Sequence, residues 1–206
     1  MFPKLIVFDF HGCLSLASGT ERGGLVGDFE NTLKLAEYGR IRINNLKKAL
    51  RKYKNGSWYS AMVKSKINPY IMMPTLDEVI TFVDFIRNNR KDTVFSIASM
   101  LEDEHFMYDM MKYCFEKKDK ISPFLQDAII SSHSLDNKVS RSRNDKWPHI
   151  SVILKKLNLP IEKSDIVLID DTESIVDYMT KSGICSVLVE DYFRILDWNK
   201  GCYVPE

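Results

Sequence analysis

The chain has 206 residues and 45% hydrophobic content, enough to bury one sizeable core and a small subdomain. Its 29 basic and 28 acidic residues leave a net charge of +1, so net charge points to no partner and only local clusters can. Four scattered cysteines, Cys13, Cys114, Cys185 and Cys202, form no Cys-x-x-Cys pair. That argues against a zinc site or a disulfide framework and for a reducing compartment. The apolar run before Asp9 is too short for a signal-peptide core, and no segment approaches a membrane span. The expectation is a soluble, cytoplasmic protein with no membrane partner.

Residues 5–8, Leu-Ile-Val-Phe, do not alternate with polar residues, so they read as a strand buried on both faces, as in a parallel sheet. Asp9 ends the strand, and Gly12 permits a tight turn three residues later. Residues 15–27 are rich in Gly, Ser and Thr and read as loop. From 29 to 66 the spacing of apolar residues predicts short helices, the last around Trp58, Tyr59, Met62 and Val63. This insertion is basic, with ten Lys or Arg between 34 and 66 against Glu37 alone. It reads equally as a solvated helix face or as an electropositive lid over an anionic substrate or nucleic acid.

Thr75 and Glu78 have capping-box spacing ahead of an apolar face at Leu76, Val79, Ile80, Val83 and Ile86. A buried strand at 93–98 ends at Ser99, which again has capping-box spacing, with Glu102, ahead of the next helix, 102–115. A short strand is expected at 127–131. Pro148 opens a helix that stops at Asn158-Leu159-Pro160. Residues 166–169 form a buried strand ending in Asp170-Asp171. A helix over 172–181 stops at Gly183, 185–189 is a fifth strand, and 192–198 a last short helix. Strands alternating with helices predict an α/β, Rossmann-like, doubly wound parallel sheet of about five strands. The core is assigned to 1–14 and 72–206, and a small helical cap to 15–71.

Asp9, Ser99, Lys146 and the pair Asp170-Asp171 all fall at strand ends or helix starts, which converge on one crevice in a parallel sheet. Each also has an ordinary structural reading: a strand-end or helix cap for the aspartates and Ser99, a solvated loop residue for Lys146. Lys138 competes with Lys146, and His133 and His149 read as surface or packing residues. Adjacent carboxylates behind an apolar strand repel each other, which favours a bound cation. Cys13 reads as a small buried residue.

The run Asp9-Phe10-His11-Gly12-Cys13-Leu14 resembles the first motif of the haloacid dehalogenase superfamily, with histidine in place of its second aspartate. Ser96-Ile97-Ala98-Ser99 with the acidic residues after it, Lys146-Trp147-Pro148-His149 and Asp170-Asp171-Thr172-Glu173 are similar to the later motifs, most closely those of the magnesium-dependent phosphatase-1 branch. The resemblance covers 4–14 and 74–189. It implies a magnesium-dependent phosphatase in which Asp9 attacks phosphorus and forms an aspartyl-phosphate. His11 would serve as acid and base, and Ser99 and Lys146 would bind the phosphoryl group. Mg²⁺ would be held by Asp9, Asp170, Asp171 and the backbone carbonyl of His11. The expected partner is a phosphorylated substrate. A phosphatase of nucleotides or nucleic-acid ends, or a binding module that has lost turnover, are the alternatives.

Overall fold

The computed structural model describes residues 2–15, 58–66, 68–73, 75–100, 103–132, 135, 144–189 and 191. The expected helices between 29 and 57, the tail helix, most of the basic insertion, His133, Lys138 and Cys202 lie outside these residues. Five strands are present: β1 (Leu5–Phe8), β2 (Val94–Ser99), β3 (Phe124–Ser131), β4 (Ile166–Asp170) and β5 (Cys185–Leu188). The described helices are α1 (Trp58–Ser65), α2 (Pro69–Met72), α3 (Leu76–Asn89), α4 (Glu104–Glu116), α5 (Trp147–Lys156) and α6 (Glu173–Lys181). None of them is long and apolar enough to cross a membrane.

All four strand pairings are parallel, in the order β3-β2-β1-β4-β5. β1 is central, and its side chains alternate between two cores. Ile6 and Phe8 face a cluster shared with α1, α3 and α4, whereas Leu5 and Val7 face one shared with α5 and α6. The first cluster holds Phe8, Phe82, Phe95, Phe115 and Phe124 in edge-to-face contacts with centroids 5.8–6.5 Å apart, a geometry that suits the ring quadrupoles. The α/β, Rossmann-like sheet expected from the sequence is therefore the fold.

Three local expectations need correction. Thr75 makes no side-chain cap to α3; its hydroxyl donates to the Cys13 carbonyl, 3.4 Å away, tying the start of α3 to the turn after β1. Ser99 is the last residue of β2, not a helix cap. α4 begins at Glu104, and Asp103 caps it by accepting from the Phe106 N–H at 2.9 Å. β3 starts at Phe124, earlier than expected, because Leu125, Gln126 and Asp127 are exposed along the sheet edge beside a register shift and carry no buried-strand pattern.

The chain's order places the candidate residues. β2 and β3 lie on one side of β1 and β4 and β5 on the other, so the loops leaving β1 and β4 diverge and open a crevice at their carboxyl ends. Asp9 follows β1 there, and Asp170 ends β4.

Candidate active site

The Asp9 backbone N–H donates to the Ile169 carbonyl at 2.8 Å, which pins the end of β1 beside the end of β4. Ligand atoms of Asp9, Asp170 and Asp171 then lie within 4.8 Å of one another. The turn after β1 closes on the same cluster. Gly12 has φ +80°, and a Cβ at that position would stand 2.1 Å from Asp171 Oδ2. Glycine is required here both for its left-handed backbone and for its missing side chain.

Lys146, the residue before α5, reaches into this cluster. Its Nζ lies 2.5 Å from Asp9 Oδ1 and 3.8 Å from Asp170 Oδ2, and it donates to the Ala98 carbonyl at 2.8 Å. Its side chain is 1% exposed, which removes the solvated-loop reading. Burial pulls the Lys146 pKa down, but Asp9 and Asp170 outweigh it and leave it raised.

One ammonium faces three carboxylates, and the surplus negative charge shows in the acids. Burial, then Asp9, pushes Asp170 up to about 6, against the pull of Lys146. Burial and Asp9 also raise Asp171. Asp170 Oδ1 accepts from the Thr172 N–H at 3.0 Å, so this carboxylate also serves the turn into α6. Its Oδ2 is buried and accepts no hydrogen bond among the described residues. A buried carboxylate oxygen without a donor, two carboxylates beside it and a glycine cradle together fit a divalent cation.

His11 is buried, and its Nδ1 lies 3.2 Å from Ser15 Oγ. Cys13 sits under the turn with Sγ 3.6 Å from the Ile169 carbonyl. Burial, followed by the three aspartates, holds its thiol well above the usual range, which keeps it protonated and unreactive. Ser99 is buried and pairs in register with Ser131, and Phe8 pairs with Ile97, so Ser99 lies just past the rung that ends β1.

His149 is a packing residue rather than a surface one. It is 2% exposed, with Nε2 3.1 Å from Ser132 Oγ. Burial, then Lys146, pushes its pKa down to about 4, while Asp9 and the Ser99 backbone push it up. The spacing of three from Lys146 held the signal, since residues i and i+3 share a helix face.

No family model matches the chain, and no curated protein matches it. Among solved structures, the UTR4 protein (Unknown transcript 4 protein) of Saccharomyces cerevisiae is similar over 90% of this chain and 89% of its own. The identity is 12% and the TM-score 0.44. A Bacteroides fragilis protein described as a haloacid dehalogenase-like hydrolase is similar over 89% of this chain and 86% of its own, with 14% identity and a TM-score of 0.42. Both likenesses are distant.

Proposed function

We propose that the chain is a magnesium-dependent phosphomonoester hydrolase of the haloacid dehalogenase type, working through an aspartyl-phosphate on Asp9. The observation that carries this reading is the contact of the Lys146 ammonium with Asp9 and Asp170 inside a three-carboxylate cluster at the sheet's switch point. A solitary acidic cluster needs no buried lysine. A site for a phosphoryl group needs both a cation site and a fixed positive charge.

Asp9, Asp170 and Asp171, with the His11 backbone carbonyl, would hold the ion. When bound, magnesium neutralises charge between the attacking carboxylate and the phosphoryl oxygens. Asp9 attacks phosphorus, and the leaving oxygen departs with a proton from His11. Lys146 and Ser99 bind the transferring oxygens. In the second step the His11 imidazole takes a proton from water, whose oxygen attacks phosphorus and releases phosphate and free Asp9. Imidazole titrates near neutrality, so the exchange of aspartate for histidine maintains a group able to give and take that proton.

Asp9→Asn is expected to abolish turnover of an aryl phosphate, and chelating Mg²⁺ to do the same; undiminished turnover by Asp9→Asn would remove the mechanism. His11→Ala is expected to slow turnover by about 10²- to 10⁴-fold, the usual worth of a general acid–base, while His11→Asp maintains or raises it. An Ala variant as active as the parent would leave imidazole no catalytic part. One observation favours a second reading, a phosphate-binding module without turnover: Nδ1 of the buried His11 is engaged with Ser15. Phosphate binding by a parent protein that releases no aryl alcohol would decide for it.

A further inference from the structure

His149 is a costly choice for its position. α5 buries Ile150 and Ile153 beside it, and an apolar side chain could fill the same space without desolvating an imidazole next to an ammonium. What the imidazole adds is a directed hydrogen bond to Ser132 Oγ at 3.1 Å. Ser132 directly follows β3, and its hydroxyl also lies 3.4 Å from Met100 Sδ, just past the end of β2.

Two contacts from the start of α5 thus reach the exits of two neighbouring strands. Lys146 Nζ holds the Ala98 carbonyl of β2, and His149 holds the hydroxyl after β3. The strands are in register at Ala98 with Ile130 and at Ser99 with Ser131. We propose that His149 is a positioning residue: through Ser132 it locks the exits of β2 and β3 onto the first turn of α5, and so fixes where Ser99 and Lys146 meet a phosphoryl group. This rests on the phosphoryl-transfer reading of the site.

The test compares the parent with His149→Gln, His149→Asn and His149→Phe in kcat, KM, melting temperature and affinity for inorganic phosphate by calorimetry with Mg²⁺ present. The terminal amide of Gln reaches the place of Nε2 and can pair with Ser132 in either direction, whereas Asn is one methylene too short. His149→Gln is expected within about threefold of the parent in kcat. Asn and Phe are expected to lose roughly ten- to a hundredfold, the scale of a misplaced catalytic group, and to bind phosphate correspondingly more weakly, Phe doing so with its melting temperature retained. A Phe variant that folds and works like the parent overturns the proposal, as does activity that merely follows melting temperature across the series. A parent that binds phosphate but does not hydrolyse the aryl ester overturns the hydrolase reading alone. Phosphate affinity then decides for His149, and equal affinity in Phe and parent overturns it. A parent that binds no phosphate ends both.

Discussion

Lys146 is the residue whose placement most changes the account of the site. Taking an ammonium out of water costs several kcal/mol, and only close, well-made partners repay it. Here they are Asp9 at 2.5 Å and the Ala98 carbonyl at 2.8 Å, with Asp170 behind them. The lysine is also the sole described cation contacting these acids, so its loss would leave buried negative charge uncompensated. Lys146→Met is therefore expected to lose about 3–5 kcal/mol of stability in urea titrations without divalent ions, the usual cost of breaking a buried pair from one side. Magnesium should restore more stability to this variant than to the parent, because the ion supplies the missing positive charge. Equal stability of the two proteins would mean that the contact compensates nothing. The sequence alone could not separate this lysine from a solvated one at the end of a basic loop. Burial of a flexible, four-carbon side chain depends on what the rest of the chain puts around it, and here the partners lie 137 residues away at Asp9 and 48 away at Ala98.

Elements were legible where burial was uniform. β1, β2 and β4 are covered on both faces, so their mainly apolar runs announced them within a residue of their observed bounds. β3 hid its start because Leu125, Gln126 and Asp127, which follow the buried Phe124, are exposed at the sheet edge and break the apolar run. Caps were harder still, because a hydroxyl with the right spacing can be claimed by a distant acceptor. The Thr75 hydroxyl goes to the Cys13 carbonyl, 62 residues earlier in the chain, whereas the carboxylate of Asp103 turns to its own helix. The two positions should respond differently. Asp103→Ala removes a true cap and is expected to cost about 1 kcal/mol, within a range of roughly 0.5–2. Thr75→Val removes one long hydrogen bond and is expected to cost about 0.5 kcal/mol, at the low end for such a bond. The reverse order in one urea series would show that Thr75, not Asp103, carries the helix start.

At the scale of the whole molecule, fold, charge and proton uptake meet at the crevice between β1 and β4. Convergence of strand ends was predictable from alternating strands and helices. The side-by-side placement of β1 and β4 was not, since their pairing joins residues 5–8 to 166–169 and no local pattern encodes so distant a partner. That pairing brings Asp170 against Asp9, and it gives the molecule an acid-linked property. The folded protein takes up a proton at Asp170 near pH 6, whereas the unfolded chain waits until 3.8. Acidification through that window therefore stabilises the metal-free fold through Asp170. His149 acts in the opposite direction. Its folded imidazole stays neutral down to about 4 while the unfolded one titrates at 6.5. The stability it contributes is full above 6.5 and is lost as the pH falls toward 4. A cation held by Asp170 would compete with the proton there, so magnesium bound as proposed would cancel the first effect and leave the second. The rise in melting temperature on adding Mg²⁺ should be largest above pH 6.5 and shrink steadily toward pH 4, and the magnesium-loaded protein should be the more acid-sensitive of the two. A magnesium shift of the same size at about pH 4.5 and about pH 7 would mean that the ion binds away from these carboxylates, because no proton would then be competing for its place.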